Sequence, residues 1–516
     1  MASMITNGDF SIQNGPFKPD FASLREFDCP EWFKDAKFGI WAHWGPQSVP
    51  MFGDWYARNM YMEGHPQNLF HQKKYGHPSQ FGYKDVAALW KAEAFDPAAL
   101  MDLFSNAGAK YFVAQAMHHD NFDNFDSAYQ PRFNSVAMGP KQDILQAWKS
   151  EAKKHGLPFG VSEHLGASYG WIGTSKGCDM SGLYRGVPYD GVNPEYSDLY
   201  YENNNGYKLF ERGRYDRAGW YATNESFHKH WFLRMKDLID KLQPDLLYSD
   251  GGLPFLRVPD DMMHHYGVHD APIDETQESA QYGLKIVAHL YNTSAKHNGK
   301  NNAVYNQKDR NQRVFSIGIL DIERSQEDKI TPYYWQTDTS VGDWFYNVKD
   351  VYKPWNVIAE TLVDIVSKNG NFLLNIPQKP DGTIDGECEY ILKQMAAWME
   401  IDGEGIYGTR PFHVSGEGKT DFEKKENGFD EQAVDWQSDD VRYTTKDGVV
   451  YAFLMRRPFD NKAVLRELND SREKVTKVSL LGVGELSFVQ NGAALIVDLP
   501  DRLPSDWVNC LRIILA

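Results

Sequence analysis

The chain of 516 residues is poor in cysteine, in long apolar runs and in positive charge. Its four cysteines form no CxxC pair, which excludes a disulfide scaffold, a zinc ribbon and a thioredoxin-like motif. No stretch approaches the ~18 consecutive apolar residues that a membrane span needs. Lys and Arg number 54 against 71 Asp and Glu, and the resulting net charge of −17 argues against nucleic acid as a partner.

A secretion signal is also missing from the start of the sequence. The first residues, MASMITNGDF, have neither the basic start nor the apolar core of a signal peptide. We expect a secreted, periplasmic or lysosome-like protein whose leader is absent from this sequence. A cytoplasmic protein is the alternative that the residues leave open.

Aromatic residues, in contrast, are abundant. The chain has 15 Trp, 28 Tyr and 29 Phe, together 14% of its residues. Aromatic rings combine a large apolar face with, in Tyr and Trp, a polar edge. The composition therefore fits either a large core or a site that stacks sugars.

Short apolar runs alternate with helix-like stretches over the first three quarters of the chain. Continuous apolar runs indicate buried parallel strands. A doubly wound sheet is the alternative to a barrel, but no GxGxxG motif follows the first run. About 340 residues of this pattern predict an α/β fold of the (β/α)₈ barrel type. The apolar runs are residues 38–42, 111–114, 158–161, 246–248, 303–305, 317–320 and 372–374.

Beyond residue 408 the pattern changes to short alternating runs separated by loops rich in Gly and Asp. No strong helical pattern remains there, and this combination is typical of a β-sandwich. We therefore predict two domains, a (β/α)₈-like barrel at residues 1–408 and an all-β sandwich at residues 409–516.

Ionisable side chains follow the predicted strands, where a barrel carries its active site. Aromatic side chains stand beside them, and we expect Trp41, Trp44, Trp55 and Trp344 to rim the mouth of the barrel. The sequence therefore predicts a polar pocket at the carboxyl ends of the strands. The ionisable residues in these positions are His43, His118, His119, Asp120, Glu163, His164, Asp250, Asp309, Arg310 and Glu323.

Two common chemistries do not fit these residues. Neither the HExxH zinc motif nor the GxSxG nucleophile elbow occurs. His118 and His119 are adjacent on a predicted strand, so we expect their side chains to point to opposite faces and not to share an ion. We accordingly expect no metal and no other cofactor.

A pair of carboxylic acids fits better. Glycosidic bonds are broken by two carboxyl groups, one acting on the leaving oxygen and the other as nucleophile or base. Asp250 follows an apolar strand and precedes two glycines, and Glu323 follows a later strand beside Arg324. These two residues are the predicted catalytic pair.

The sequence resembles family 29 glycoside hydrolases, the α-L-fucosidases, in several blocks in the same order. The opening block WFKDAKFGIWAHWG at 32–45 resembles the first barrel strand of that family. The blocks at 54–61, 118–122 and 139–143 are similar to its following loops. QPDLLYSDG at 243–251 resembles its nucleophile strand, and the blocks at 367–376 and 403–410 resemble the closing part of its barrel.

The resemblance implies a retaining exo-hydrolase that releases terminal α-L-fucose from a fucosylated glycan or glycoside. It places Asp250 on the nucleophile and Arg310 near a substrate-binding arginine. It also implies sugar contacts for His43, His118, His119, Asp54 and Trp55, with Trp344 beside them.

The sequence departs from the family pattern at three places. Asp54 replaces the common Glu, Glu163 or His164 stands where a Tyr commonly meets the sugar, and Phe345 replaces a common Gly. We expect Trp41, Trp344 and Phe345 to form an apolar wall for the methyl group of fucose.

The acid/base residue is not at a constant position in this family. We favour Glu323, with a pKa raised by partial burial, ahead of Glu327, Glu278 and Glu163. The two carboxyl groups of a retaining enzyme should lie ~5–5.5 Å apart. Two other functions stay open, another retaining exo-glycosidase such as a galactosidase, and a fucose-binding protein without catalysis.

Overall fold

A computed structural model describes residues 5–203, 224–256, 273–420, 422, 431, 434–472 and 474–516. Its first part is a closed barrel of eight parallel strands, each hydrogen-bonded to the next, with β8 closing on β1. This confirms the predicted (β/α)₈-type fold. The strands are β1 (Phe38–Ala42), β2 (Tyr111–Met117), β3 (Phe159–Glu163), β4 (Leu246–Ser249), β5 (Val304–Gln307), β6 (Ile319–Asp321), β7 (Trp335–Ser340) and β8 (Gly370–Asn375).

The inside of the barrel is packed with large side chains from alternate strand positions. Trp41, Tyr111, Tyr248, Ile319 and Leu373 belong to this cluster and are all buried. Because bulky residues fill the inside of the barrel, we look for a ligand site at the mouth formed by the carboxyl ends of the strands.

One strand, β7, has no apolar run to signal it. Its sequence WQTDTS is polar after the first residue, yet every position is buried. Gln336 shows why polar groups are tolerated here, since it accepts from the Tyr111 hydroxyl (2.7 Å) and donates to Asp321 (2.8 Å). Buried polar groups are stable when they are hydrogen-bonded to each other.

Helices surround the barrel and begin at recognisable caps. Asp96, Asp143, Asn224 and Asp385 each accept a backbone N–H in the first turn of the helix that follows. The α-helices are Phe21–Leu24, Glu31–Ala36, Tyr56–Asn59, Pro66–Lys74, Tyr83–Leu89, Pro97–Asn106, Ile144–Lys154, Ser168–Trp171, Ser197–Tyr200, Glu225–Leu242, Glu278–Asn298, Gln312–Phe315, Trp355–Ser367 and Gly386–Asp402.

The C-terminal part consists of two antiparallel sheets, in the order β14-β13-β17-β11-β10-β9 and β12-β16-β15. Apolar residues of both sheets share one core, as expected for a sandwich. Its strands are β9 (Arg410–Glu417), β10 (Val441–Lys446), β11 (Val449–Leu454), β12 (Lys462–Leu465), β13 (Val475–Leu480), β14 (Gly484–Glu485), β15 (Phe488–Gln490), β16 (Leu495–Asp498) and β17 (Asn509–Leu515).

In the described parts of the chain, no helix has both the length and the apolar character to span a bilayer. The cysteines Cys29, Cys178, Cys388 and Cys510 are free thiols, and all except Cys178 are buried. The fold is therefore held by packing and hydrogen bonds, and its chemistry is to be sought at the barrel mouth.

Candidate active site

A cavity of about 240 Å³ opens at the carboxyl ends of the barrel strands. Its wall combines histidines, carboxylates, one lysine and aromatic rings, which is the mixture expected of a pocket that binds a polar ligand. The lining residues are Trp41, His43, Asp54, Trp55, His118, His119, His164, Tyr248, Asp250, Lys308, Glu323, Asp338 and Trp344.

Histidines at three strand ends form one side of the pocket. His43 follows β1, and its backbone N–H donates to Oδ1 of Asn375 (2.9 Å). The expectation that His118 and His119 point to opposite faces is wrong. Strand β2 ends at Met117, so both residues lie beyond the strand, and their ring centroids are only 4.5 Å apart.

Asp250 is held by three cationic or N–H-bearing side chains. Its Oδ2 lies 3.3 Å from Nε2 of His119 and 3.4 Å from Nδ1 of His164. Its Oδ1 accepts from Nζ of Lys308 (2.7 Å). The backbone N–H of Asp250 donates to the carbonyl of Glu163 (2.9 Å), so the end of β3 also orients the carboxylate.

Glu323 reaches the same lysine from the other side. Lys308 follows β5 directly, between the strand before Asp250 and the strand before Glu323, and its ammonium also donates to Oε2 of Glu323. An ammonium–carboxylate hydrogen bond spans about 2.8 Å, so the two bonded oxygens are at most about 5.6 Å apart. The two predicted catalytic carboxyls are therefore neighbours.

These surroundings separate the acidities of the two carboxyls. Burial alone raises the pKa of Asp250, but Lys308 and His164 outweigh it and hold that pKa well below the usual value. At Glu323 burial outweighs Lys308, and the carboxylates of Asp338 and Asp250 add to it, so its pKa is raised. One group is thus held as a carboxylate while its neighbour retains its proton more readily, which is the division that acid/base chemistry requires.

Two of the pocket histidines, His43 and His118, are held in the neutral form. Burial, followed by repulsion from neighbouring rings, lowers the pKa of His43 and His118 well below the usual value. The backbone N–H of Ala57 donates to Oε1 of Gln47 (3.3 Å), which fixes the orientation of the side-chain amide. The NH₂ group of Gln47 therefore donates to Nδ1 of His118 (2.8 Å). That leaves the ring proton of His118 on Nε2, where it can donate.

Two sets of side chains have the spacing of metal ligands. One ligand atom each from His43, His118 and His164 lies within 4.8 Å of the others, and so do those of His119, His164 and Asp250. In the described part of the chain, neither ring nitrogen of His43 has a hydrogen-bond partner. A Zn²⁺ ion needs lone pairs at ~2.0–2.1 Å, whereas His118 directs an N–H. Hydroxyl groups, which both donate and accept, therefore suit the first set better than a zinc ion does.

Asp54 and Trp55 also line the pocket, and the Trp55 ring lies 6.4 Å from that of His119, centroid to centroid. Burial and the neighbouring Asp343 raise the pKa of Asp54 well above its usual value. Trp55 has a left-handed backbone (φ 59°) and packs against Trp171, with ring centroids 5.8 Å apart. A non-glycine residue in this conformation indicates that the surrounding structure fixes the loop.

The aromatic wall differs in part from the expectation. Trp41 and Trp344 line the cavity with their centroids 5.4 Å apart. Phe345 is fully buried behind His43 and His118, at 4.8 and 5.3 Å, and so supports the histidines. Trp44, predicted at the rim, belongs to the core, where it packs against Trp90 and donates to the carbonyl of Lys379.

Other predicted residues do not line this cavity. The Glu163 carboxylate accepts from Trp231 (3.3 Å) and the backbone of Gly166 (3.2 Å), and burial raises its pKa to about 7.

The other candidates also lie outside the cavity wall. Arg310 pairs with Glu327 at 3.2 Å. Glu278 lies in the first turn of the helix Glu278–Asn298. Of the four acid/base candidates, Glu323 is thus the one in the cavity wall.

The sequence does not single out Lys308, Tyr248 or Asp338 as site residues, and it indicates His164 only as one of the ionisable residues that follow the strands. The Tyr248 hydroxyl donates to Asp338 (3.1 Å) inside β7, the strand that had no apolar signal. Asp338 stands beside Asp321, whose pKa burial and Asp338 raise well above the usual value. The position of Lys308 directly after β5 is the sequence signal for this residue, whereas the family resemblance points to Arg310.

Comparisons with known proteins agree with this geometry. A family model described as "Alpha-L-fucosidase" matches residues 4–404, and one described as "Alpha-L-fucosidase C-terminal domain" matches residues 434–514. The chain is 27% identical to the tissue alpha-L-fucosidase of Rattus norvegicus over 503 residues, 95% of this chain and 90% of the relative. It is 27% identical to the plasma alpha-L-fucosidase of Homo sapiens, covering 95% of this chain and 91% of that protein.

Solved structures show the same similarity. The structure of the Thermotoga maritima alpha-fucosidase in complex with fucose superposes with a TM-score of 0.69 at 27% identity. The match covers 96% of this chain and all of the bacterial one. The likeness therefore extends over the barrel and the C-terminal sheets together.

Proposed function

The chain belongs to the α-L-fucosidase family of glycoside hydrolases, and from that premise we propose that it releases terminal α-L-fucose by a retaining double displacement. The observation that carries the mechanism is the single ammonium of Lys308 between the carboxylates of Asp250 and Glu323. It supports a carboxyl separation in the range of retaining enzymes, ~5–5.5 Å, and leaves little room for the water of an inverting one.

In the first step the Asp250 carboxylate attacks the anomeric carbon while Glu323 gives its proton to the departing glycosidic oxygen. A covalent fucosyl-aspartate forms, and the aglycone leaves as the alcohol. In the second step the Glu323 carboxylate takes a proton from water, which attacks the same carbon and returns Asp250 to the carboxylate form. Lys308 stabilises the negative charge that moves between the two groups.

The histidine side of the pocket supports binding of a sugar. His118 directs an N–H into the site, and the nitrogens of His43, unpartnered within the described residues, are available to hydroxyl groups. A buried polar group without a partner is costly, so a sugar whose hydroxyls match these atoms is favoured strongly over one whose hydroxyls do not. The rings of Trp41 and Trp344 offer an apolar surface to the methyl group of fucose.

Relatives support the substrate. Structures of the 27%-identical T. maritima alpha-fucosidase include complexes with fucose and with a mechanism-based inhibitor. The relatives named plasma alpha-L-fucosidase support a compartment outside the cytoplasm. We place the catalytic unit at residues 1–408 and the sandwich at 409–516, a division that limited proteolysis would test.

Substitution of the two carboxyls tests the mechanism. We expect D250N to lower kcat on an aryl α-L-fucoside about a thousandfold or more, because the amide cannot form the covalent intermediate. E323Q should slow poor leaving groups far more than nitrophenolate, which needs no proton. E327Q is the matched control and should stay within a few-fold of wild type.

Two outcomes would contradict the proposal. Near-normal turnover by D250N would exclude it as nucleophile, and β-fucose as the first product in an NMR time course would mean inversion. A parallel assay of aryl β- and α-D-galactosides distinguishes a fucosidase from another exo-glycosidase, since their ring hydroxyls have a different arrangement from those of L-fucose.

A further inference from the structure

A carboxylate from the C-terminal part of the chain reaches the rim of the barrel. Glu431 lies beyond β9, and both of its carboxylate oxygens are 2.7 Å from the hydroxyl of Thr339 in β7. The same carboxylate pairs with Nζ of Lys353 at 2.8 Å and faces Nη1 of Arg324 at 3.8 Å. Glu431 is therefore placed between two cations of the barrel.

Arg324 connects this carboxylate with the pocket. It follows Glu323 in the chain and has a left-handed backbone (φ 47°), a conformation that a non-glycine residue keeps only when its surroundings hold it. Its backbone N–H donates to the carbonyl of Asp338 (2.9 Å), and Nη2 donates to the carbonyl of Gly342 (3.0 Å). The residue next to Glu323 is thus held by two hydrogen bonds in addition to its contact with Glu431.

The guanidinium of Arg324 lies over the ring of Trp344, 4.8 Å from its centroid. Trp344 is a wall of the cavity, and its other neighbours are Trp41 at 5.4 Å and His43 at 5.6 Å. Two contacts, from Glu431 to Arg324 and from Arg324 to Trp344, therefore join the C-terminal part of the chain to the sugar-facing surface.

We propose that Glu431 is a positioning residue for the hydrolysis: it holds Arg324 against Trp344, so the C-terminal part of the chain shapes the pocket wall. This inference rests on the proposed role of Trp344 in contacting the sugar. Without the Glu431 carboxylate, Arg324 and Lys353 repel each other, and the strained backbone of Arg324 loses a constraint. The ring of Trp344 then loses the cation that packs on its back.

Steady-state kinetics of E431Q and E431D on an aryl α-L-fucoside test the proposal. We expect E431Q to raise KM about 3- to 30-fold, the range for a residue that acts through packed neighbours, with kcat within about twofold. E431D retains the charge and should recover most of the loss. The dissociation constant of free fucose, measured by calorimetry, should rise by the same factor as KM.

E404Q is the matched control for general damage at the junction. Glu404 pairs with Arg512 of β17 at 2.8 Å, so this substitution also removes a glutamate charge that joins barrel and sandwich. We expect E404Q to leave KM unchanged. An equal rise of KM in E404Q, or a wild-type KM in a folded E431Q, would overturn the positioning role.

W344F separates this inference from the proposed function. A raised KM in W344F together with a normal KM in E431Q would reject only the positioning role of Glu431 and would leave the proposed function in place. A normal KM and normal fucose affinity in W344F would instead reject the pocket wall on which the inference rests. Thermal melts of all four variants identify any that fail to fold. If E431Q fails to fold, the kinetics of E431D test the proposal instead.

Discussion

At the scale of single residues, Lys308 controls the candidate site. Its ammonium is buried between two carboxylates, and those charges raise its pKa well above the usual value despite burial. It lowers the pKa of both Asp250 and Glu323, by attraction to the ionised forms. Because Lys308 contacts both carboxyls, its effect is read from both limbs of the pH profile of activity.

Replacement of Lys308 by Met should move both limbs of the kcat/KM profile to higher pH. In the proposed mechanism the acid limb reports ionisation of Asp250 and the alkaline limb deprotonation of Glu323, and each pKa rises when the cation is lost. Activity near pH 4–5 should therefore fall relative to the optimum. R310Q, which removes the partner of Glu327, should leave both limbs in place, and a K308M profile with unshifted limbs would contradict this role.

At the scale of elements, the barrel interior requires close approach of β1, β2 and β7. Gly39 of β1 lies against the ring of Tyr111, whose hydroxyl is tied to Gln336 across the barrel. A Cβ at Gly39 would overlap that ring. Since the ring is held at both ends, it has no room to move aside.

G39A should therefore lower the free energy of unfolding by about 1–3 kcal/mol, the usual cost of overpacking a core. G386A is the control, because a Cβ at Gly386 meets no atom within 4 Å and the residue begins a helix. Alanine there should be neutral or stabilise by about 0.4–1 kcal/mol. Urea denaturation measures both, and an unchanged midpoint for G39A would show that the barrel relaxes.

At the scale of the whole molecule, buried polar contacts join the sandwich to the barrel. Arg442 of β10 and Lys368 share the carboxylate of Asp364, at 2.6 and 2.9 Å. Asp402 accepts the backbone N–H of Cys510 in β17 (3.0 Å). Burial raises the pKa of Asp402 to about 7, whereas Lys368 and Arg442 outweigh burial at Asp364 and lower its pKa to about 2.

These opposite shifts give opposite dependences of stability on pH. Asp402 keeps its proton in the folded state to about pH 7 but loses it near pH 4 when unfolded, so its contribution decreases as pH rises from about 4 to 7. D402N should thus melt higher than wild type at pH 8 and about equally at pH 4. D364N should melt lower at both pH 5 and pH 8, because it removes an ionised partner of two cations. Calorimetry compares the variants, and an equal pH slope in D402N and wild type would refute the assignment.

Much of the fold followed from local patterns, and the misses have physical causes. Strands such as β1 and β4 were recognisable because their residues are continuously apolar. β7 was not, because its polar side chains are satisfied by partners on other strands. Trp44 was misplaced for a related reason, since a residue after a strand can turn into the core as readily as into the mouth.

The sequence by itself determined the barrel, the following sandwich, the family and the positions of Asp250 and Glu323 after their strands. Only the tertiary structure decided that Lys308 and not Arg310 stands between them, that His164 and not Glu163 faces the cavity, and that His118 and His119 share one side. Strand order and side-chain direction are set by contacts between residues far apart in the chain. Local sequence therefore carries the chemistry, and packing selects which groups meet.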